Sequence, residues 1–298
     1  MTVKRVEIIF NPKAGRSGRR AEFAQQMVKL LADRGIDAIA TATSGPADAT
    51  RLASEASKRG ADIVVSYGGD GTLNEVLQGI VGSKTSLAVW AGGTANVVAR
   101  DLKMPGDLNR IADCIAAGKT TRIAVGVARA KGEAAQRYFL MFAGIGLDAS
   151  VARRVNEKLK SMIGQFAYWL TGLTHVATWK PELFEIEVDG KKHEAVFALV
   201  ANGKGYGGGL CMAPAAKLEE PSFQVYILPR RATNLSYIPD LLACVRGTTE
   251  QTDATIISGR HVVANSSEEP WVEVDGEVIG PLPMTFDVVP EALSMIVP

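Results

Sequence analysis

Apolar and polar positions alternate in two ways along the chain. Up to about residue 120, short apolar runs alternate with segments whose apolar residues recur every three or four positions, the spacing of an amphipathic helix. The predicted order is strand 5–10, helix 19–35, strand 36–43, helix 47–60, strand 62–67, helix 72–80 and strand 86–91. This alternation predicts a Rossmann-like α/β domain, with a parallel sheet between two helical layers.

From about residue 120 the apolar positions mostly follow a period of two. The predicted strands are 121–130, 137–146, 183–190, 193–202, 223–229, 254–265, 271–280 and 283–289. A helical stripe interrupts them at Leu159, Met162, Ile163, Phe166, Leu170 and Leu173. Asp-Gly between alternating strands favours hairpins, so this half predicts a mainly antiparallel β-sandwich with inserted helices. We place the domains at 1–122 and 123–298, with the last strand a candidate to return to the first domain.

Composition narrows the function classes. The 298 residues carry a net charge of +1, which gives no general affinity for nucleic acid. An early basic run, Lys4 to Arg20, is typical of a solvated face. Three scattered cysteines and three histidines show no metal-binding spacing, which indicates reduced thiols in the cytoplasm. No apolar stretch reaches the roughly 20 residues that span a bilayer, so we expect a soluble protein.

Four polar loops follow the strands of the first half: "NPKAGRSG", "TSGPAD", "GGDGT" and "GGTAN". In parallel sheets ligands bind beyond the carboxyl ends of the strands. "GGDGT" opens a helix, whose N terminus favours an anion, yet Asp70 is acidic and tolerates phosphate only with a cation between them. The loop therefore predicts phosphate with Mg²⁺; the alternative is a glycine turn in which Asp70 is a cap.

The motifs "NPKAG", "GGDGTLNEV" and "GGTAN" together resemble the diacylglycerol kinase catalytic-domain family, which includes sphingosine, ceramide and bacterial lipid kinases. The resemblance covers almost the whole chain. It implies ATP as cofactor and glycines that let the backbone lie against its phosphates. The implied nucleotide-binding residues are Asn11, Pro12, Lys13, Ala14, Gly15, Thr43, Gly68, Gly69, Asp70, Gly71, Thr72, Leu73, Asn74, Thr94 and Asn96.

The same resemblance implies an acceptor site in the second half. "EVDGEVIG" is similar to the family's Asp-Gly-Glu segment, which makes Asp275 and Glu277 candidates for the catalytic base, with Asp70 organising Mg²⁺. "AGIGLDA" implies that Asp148 orients the lipid headgroup. The look-alike hairpin "VDGKK" at 188–192 carries no implied role.

Bacterial members of the family often hold a structural Mg²⁺ on an Asp-Gly segment and neighbouring carbonyl groups. Here the matching segment reads "AAKLEEPSF", with Glu220-Pro221 in place of Asp-Gly. The corresponding ligands are Lys217, Glu220 and Ser222. Proline fixes φ and glutamate is longer than aspartate, so the replacement leaves this metal site undecided.

The sequence thus predicts an ATP-dependent, Mg²⁺-dependent lipid kinase acting on a diacylglycerol-like or sphingoid hydroxyl. We expect a cytoplasmic protein that attaches reversibly to the inner face of the membrane, with no nucleic-acid partner. The oligomeric state is open, a homodimer being one option. Two alternatives remain: a kinase of a soluble substrate related to NAD kinase, and a non-catalytic nucleotide or lipid sensor.

Overall fold

The structure, a computed structural model, describes residues 3–13, 18–147, 179–206 and 210–298. The chain divides into two compact units. The first comprises Met1–Ile123 with Glu291–Pro298, and the second comprises Ala124–Pro290. Each unit has its own hydrophobic core.

A parallel sheet forms the centre of the first unit. Its strands lie in the order β2-β1-β3-β4, and each adjacent pair is parallel. The strands are β1 Arg5–Phe10, β2 Asp37–Ala42, β3 Ile63–Gly68 and β4 Ser86–Ala91. Every residue of β3 is buried, as expected for an inner strand covered on both faces.

Helices cover both faces of this sheet. In the described part of the unit they are α1 Arg20–Ala32, α2 Asp48–Lys58, α3 Asp70–Ile80, α4 Val97–Asp101 and α5 Leu108–Ala117. Helices α1 and α5 share a core with Val6, Ile8 and Phe10 of β1. Helices α2 and α3 pack on each other and on the strands, against the side chains that alternate to the opposite face. The predicted α/β domain is confirmed.

The first unit also contains a strand from the other end of the sequence. Strand β16, Met284–Ile296, reaches the edge of the sheet, where Met295 pairs in parallel with Leu87 of β4. Just beyond it, the N–H of Val297 donates to the carbonyl of Lys119 at 3.0 Å. The buried residues of this segment are Ala292, Leu293, Met295 and Ile296.

Two antiparallel sheets build the second unit. One has the order β12-β11-β10-β7-β14-β15; in the other, β13 lies between β16 and β8, β8 pairs with β9, and β5 pairs with β16 and β6. The strands are β5 Thr120–Ala130, β6 Gln136–Phe139, β7 Phe142–Gly146, β8 Phe184–Val188, β9 Lys191–Ala195, β10 Phe197–Ala201, β11 Phe223–Leu228, β12 Thr255–Gly259, β13 His261–Asn265, β14 Trp271–Val274 and β15 Glu277–Pro281. Ile145 and Val225 from the first sheet share a core with Ile186 and Phe286 from the second. The predicted antiparallel sandwich is confirmed, and helix α6, Ile238–Arg246, is inserted in it.

Several segments that were predicted as single strands form two strands in the structure. They are the predicted strands 137–146, 193–202, 254–265 and 271–280, and they break at Leu140–Met141, Val196, Arg260 and Asp275–Gly276. At the breaks at Leu140–Met141 and Arg260, the backbone N–H donates to a turn carboxylate, whereas the N–H of Val196 donates to the carbonyl of Leu228 in β11. The N–H of Leu140 donates to the Asp275 carboxylate at 2.8 Å, and the N–H of Arg260 to the Asp189 carboxylate at 3.0 Å.

Among the described residues, no helix combines the length and hydropathy needed to cross a membrane. The helical stripe predicted between Leu159 and Leu173 lies outside the described residues.

Candidate active site

Two glycine-rich loops meet at the carboxyl ends of β3 and β4. A Cβ on Gly93 would stand 2.5 Å from the Cα of Gly69, and a Cβ on Gly69 would stand 3.4 Å from the Cα of Gly93. The N–H of Gly92 donates to the carbonyl of Gly68 at 2.8 Å. These glycines are therefore needed for contact between the loops themselves, in addition to any contact with a phosphate.

Asp70 lies inside this pair of loops. Its Oδ1 accepts the N–H of Val97, the first residue of α4, at 2.8 Å. Burial raises the pKa of Asp70, against the opposing effect of hydrogen bonds from the backbone N–H groups of Val97 and Asn96. The charged form is thus disfavoured, and a nearby cation would stabilise it. The side chain is a cap of α4 and also remains suited to hold a cation.

Asn96 closes the second loop on itself. Its side chain accepts the N–H of Gly93 at 2.8 Å and donates to the carbonyl of Gly93 at 2.9 Å. Its φ of 47° is in the left-handed region, which asparagine tolerates better than most residues. Thr94, two residues earlier, is exposed. Asn96 therefore shapes the loop, while the Thr94 side chain is accessible at its surface.

At the start of α3, the groups available to an anion are backbone N–H groups rather than side chains. The helix begins at Asp70 and includes Gly71 in its first turn. The other predicted side chains there, Thr72, Leu73 and Asn74, are buried. A Cβ on Gly68 would stand 2.6 Å from Thr72, so this threonine packs directly on the loop. The first N–H groups of a helix lack intrahelical acceptors, and the helix dipole favours negative charge there.

A carboxylate from α3 fixes the loop after β2. Glu75 accepts the N–H groups of Ala47 at 3.0 Å and Ala49 at 3.1 Å. Ala47 has a φ of 62°, a strained conformation for alanine. In the same loop Thr43 is half-buried, and its N–H donates to the carbonyl of Phe10 at 2.9 Å. Glu75 was not among the predicted site residues; its signal in the sequence is its place in "GGDGTLNEV".

The loop after β1 starts with a local hydrogen bond. The side-chain oxygen of Asn11 accepts the N–H of Lys13 at 2.9 Å, which is an Asx-turn. The N–H of Asn11 donates to the carbonyl of Tyr67 at 3.3 Å, so this loop lies next to the end of β3. Pro12 and Lys13 are exposed.

Arg20 is the one member of the early basic run that is buried among the described residues. Its guanidinium lies 4.9 Å from the centroid of the Tyr67 ring and donates to the carbonyl of Gly92. Burial lowers the pKa of Arg20 from its ordinary value. Arg20 thus ties α1 to the second glycine-rich loop, a role that the sequence pattern did not indicate.

In the second unit, Asp275 binds the backbone of another segment. Its carboxylate accepts the N–H groups of Leu140 at 2.8 Å, Met141 at 2.9 Å and Phe142 at 3.2 Å. Asp275 and Gly276 have φ values of 47° and 88°, as in a tight hairpin turn. Asp189 in the look-alike "VDGKK" turn does the same with fewer donors, since it accepts the N–H groups of Arg260 and His261.

Two further carboxylates flank this turn. Glu277, the first residue of β15, pairs with Arg137, and 39% of its side chain is exposed. Glu273 in β14 is buried and accepts the N–H of Gly276 at 2.6 Å. Glu273 was not predicted, although an acidic residue in an otherwise apolar strand is a signal in the sequence. Glu277 is therefore partly open to solvent, while Glu273 holds the backbone of the turn and Asp275 holds that of Leu140–Phe142.

The residues predicted as ligands of a structural Mg²⁺ contact one another. The ammonium of Lys217 already pairs with the Glu220 carboxylate at 2.6 Å. The carbonyl of Lys217 accepts the N–H of Glu220 at 3.0 Å, and the N–H of Ser222 donates to the carbonyl of Glu220 at 2.8 Å. Within the described ranges, no group of three or more His, Cys, Asp or Glu side chains could hold a metal ion. The structural metal site stays a prediction.

Three predicted site residues, Ala14, Gly15 and Asp148, lie outside the described residues. The remaining nucleotide-binding predictions fall on the first unit and the remaining acceptor and structural-metal predictions on the second.

Family models match both halves of the chain. The model described as a diacylglycerol kinase catalytic domain matches residues 5–128, and that described as a YegS C-terminal NAD kinase beta sandwich-like domain matches residues 142–297. A diacylglycerol kinase from Bacillus subtilis (strain 168) is 34% identical over 291 residues, which cover 95% of this chain and 93% of that protein. One from Staphylococcus aureus (strain MRSA252) is 30% identical over 289 residues, covering 95% and 89%.

Solved structures agree with these matches. The crystal structure of a diacylglycerol kinase from Bacillus anthracis str. Sterne superimposes with a TM-score of 0.81 at 24% identity, covering 100% of this chain and 98% of that chain. A second crystal structure from the same organism gives a TM-score of 0.83 at 25% identity, covering 100% and 96%.

Proposed function

Because the chain belongs to the family that joins a diacylglycerol kinase catalytic domain to a YegS-type C-terminal domain, we propose that it is an ATP-dependent lipid kinase. It transfers the γ-phosphoryl group of ATP to a hydroxyl of a diacylglycerol-like or sphingoid lipid. The observation that carries this proposal is a partly buried carboxylate, Asp70, in a glycine-rich loop at a helix N terminus.

The first unit supplies groups suited to a triphosphate. The start of α3 and the two interlocked glycine-rich loops present backbone N–H groups at one edge of the sheet, and oriented N–H groups favour anions. Thr94 and Lys13 add an accessible hydroxyl and an ammonium group. Phosphoryl transfer depends mainly on positioning and charge neutralisation, and these are groups of that kind.

Asp70 is the residue that would hold a Mg²⁺ ion. Burial raises its pKa, so a cation would favour the ionised form that the fold alone disfavours. Mg²⁺ is commonly bound by one or two carboxylates together with substrate phosphates. When bound, it would neutralise phosphate charge. The Asp70 carboxylate meanwhile keeps α4 and the second glycine-rich loop in place through Val97.

The proton of the lipid hydroxyl must be accepted as the phosphoryl group is transferred. The acidic residues of the Asp275 turn are the candidates, and their contacts differ. Asp275 already accepts three backbone N–H groups. Glu277 is partly exposed but is paired with Arg137. We propose that one of these two carboxylates is the base. Because their contacts differ, substitutions of Asp275 and of Glu277 should have different effects on stability.

Two alternatives make different predictions. A kinase of a soluble substrate is favoured by the NAD kinase-like description of the C-terminal domain model. It would phosphorylate NAD and leave lipids unchanged. A nucleotide or lipid sensor would bind ATP without turnover.

A single panel assay separates these functions. Purified full-length protein is incubated with γ-labelled ATP, Mg²⁺ and either diacylglycerol, monoacylglycerol, sphingosine or ceramide in mixed micelles, or with NAD, and the product is identified by mass. We expect label in a lipid phosphate, and none in NADP. Asp70→Asn and an excess of chelator should each abolish turnover. Labelled NADP, or ATP binding without any product, would replace the proposal with the corresponding alternative.

We also propose that the protein meets its acceptor as a peripheral protein at the inner membrane face. Support comes from the lipid acceptor in the proposed reaction.

A further inference from the structure

The outer surface of α6 is apolar. The residues Leu235, Leu242 and Val245 are 64%, 45% and 48% exposed. Ile238, Leu242 and Val245 are spaced by four and three residues, so they share one face of the helix. Leu235 lies in the 3₁₀ turn Asn234–Tyr237 that leads into the helix. We call these four residues the apolar stripe.

The opposite face of α6 is fixed in the fold without help from the stripe. Asp240 is buried and forms a bidentate pair with Arg231, at 2.5 and 3.1 Å. The Arg231 guanidinium also lies 5.2 Å from the Tyr237 ring centroid, and Ala243 and Cys244 are buried beneath the helix. The exposed stripe is therefore not a requirement of packing within the unit.

The charges nearest the stripe in the sequence are mostly positive. Between residues 229 and 247 the ionisable charges are Arg230, Arg231, Asp240 and Arg246. Arg231 and Asp240 neutralise each other. Arg230 and Arg246 are exposed and form no ion pair with a described residue. The next acidic residue, Glu250, follows Gly247, which ends the helix.

We propose that the apolar stripe inserts α6 into the headgroup–acyl boundary of an anionic phospholipid bilayer, with Arg230 and Arg246 at the lipid phosphates. Apolar side chains flanked by arginines on one exposed helix face are suited to this interface. Anionic lipids attract each nearby basic residue. This inference rests on the lipid-kinase function proposed above, because a lipid acceptor requires the protein to reach a bilayer.

A second copy of the chain fits this surface less well. A stable protein interface typically uses about 20–30 residues on each side, whereas the stripe has four. In a two-fold dimer the same patch meets itself, which would bring the unpaired Arg230 and Arg246 of both copies into one contact. Like charges in such a contact oppose association.

The test is flotation of the full-length protein with vesicles of equal parts phosphatidylglycerol and phosphatidylcholine. The double variant Leu242→Ser, Val245→Ser should bind at least about tenfold more weakly, because two apolar side chains are lost from the interface. Leu235→Ser, outside the helix, is the second variant. Ile39→Ser is the matched control, since Ile39 is 44% exposed on β2 of the first unit. Thermal melting of each variant should be close to that of the wild type.

The arginines give an independent measurement. Arg230→Ala and Arg246→Ala should each weaken binding to these vesicles about fivefold at low salt, and should have little effect on vesicles of phosphatidylcholine alone. Arg110→Ala is the control, because Arg110 is also exposed and forms no ion pair with a described residue.

Each remaining outcome overturns either this proposal or the kinase function. Wild-type protein that does not float with the vesicles, or variants that float as well as the wild type, would show that the stripe is not a membrane surface. A wild-type dimer that the double variant converts to monomer, with vesicle binding unchanged, would assign the stripe to a second copy. Turnover of a dispersed short-chain diacylglycerol, measured without vesicles, tests the kinase function separately: its absence alongside stripe-dependent flotation would remove the function and leave the docking surface.

Discussion

At the scale of single residues, the side chain of Asp70 has two roles. It caps α4 through Val97 and it is the carboxylate that would hold a cation. The motif indicated an acid beside phosphates, and it equally allowed a cap. It could not indicate that the acceptor of the Val97 N–H is Asp70, because that contact joins loops 27 residues apart in sequence.

The raised pKa of Asp70 predicts a specific pH dependence of stability. Between the ordinary aspartate pKa of about 4 and the raised value, folded protein binds more protons than the unfolded chain. The stabilisation that Asp70 contributes through its raised pKa is therefore fully present below the ordinary aspartate pKa. It is lost as the pH rises through the pKa of Asp70 in the folded protein. Asp70→Asn removes this dependence.

The measurement is urea unfolding of both proteins without nucleotide or Mg²⁺, at a series of pH values. The unfolding free energy of the wild type minus that of Asp70→Asn should decrease with rising pH and then level off. A difference that is flat, or that grows with pH, would show that the carboxylate is not disfavoured in the fold.

Gly69 and Gly93 contact each other asymmetrically, so substituting each one in turn distinguishes an effect on stability from an effect on nucleotide binding. Gly93→Ala places a methyl group 2.5 Å from the Gly69 backbone, which must shift, so we expect a loss of about 1–3 kcal/mol in unfolding free energy. Gly69→Ala places one at 3.4 Å, and the loss should be under about 1 kcal/mol. If the Gly69 backbone approaches a phosphate, Gly69→Ala should still weaken ATP binding.

Urea unfolding and ATP titration calorimetry of the two variants test this pair. Equal stability losses would mean that the loops do not touch as described. An unchanged ATP affinity in Gly69→Ala would remove that glycine from the nucleotide site.

At the scale of elements, carboxylates in turns set where strands end. The apolar pattern runs without interruption through Leu140 and Met141, both buried, so residues 137–146 predict one strand. The break exists because Asp275, far along the chain, takes their N–H groups. Hydrophobic periodicity reports the burial of side chains; it carries no information on which acceptor a backbone N–H finds.

The two Asp-Gly turns allow a controlled test of the base. Asp275→Asn should lower kcat at least about 100-fold if this carboxylate is the base, and should also destabilise the fold because three N–H donors lose part of their acceptor. Glu277→Gln should lower kcat similarly if Glu277 is the base, with a smaller effect on stability. Only the variant of the true base should remove the acidic limb of the pH–kcat profile.

Asp189→Asn is the control, because its turn has nearly the same backbone angles, with φ of 46° and 85°. Losing part of its bonds to Arg260 and His261 should cost about 1 kcal/mol of stability and leave kcat unchanged. A loss of kcat in Asp189→Asn as large as in the other two would mean that the turns matter for folding alone.

Glu75 is expected to stabilise the start of α2. Glu75→Ala leaves the N–H groups of Ala47 and Ala49 without their acceptor and should reduce the unfolding free energy by about 1–2 kcal/mol. Glu22→Ala is the control, since Glu22 forms only an exposed pair with Arg19, worth under about 1 kcal/mol. Equal losses in urea unfolding would show that the bonds to the α2 backbone contribute no more than a surface ion pair.

At the scale of the whole molecule, the sequence predicts the layers of each unit well, and predicts poorly which segments contact each other. The change from helical to alternating periodicity predicts both architectures, because burial determines the pattern. Helix α6 was not predicted, since its exposed apolar stripe and buried Asp240 invert the usual amphipathic pattern. The structural metal site implied by resemblance stays a prediction, and the structure adds only that the Glu220 carboxylate pairs with Lys217. The choice of lipid stays a prediction for the panel assay.

The strand β16 has a consequence for the synthesis of this protein. The sheet of the first unit lacks the residues around Met295 until the whole of Ala124–Pro290 has been translated. A ribosome-bound chain that has made only Met1–Ile123 therefore exposes the edge of β4 and the apolar surface that residues 291–296 later cover. Such an edge is open to pairing with other chains. The first unit to emerge is thus among the last to be completed, and its N-terminal fragment should need a chaperone more than the finished protein does.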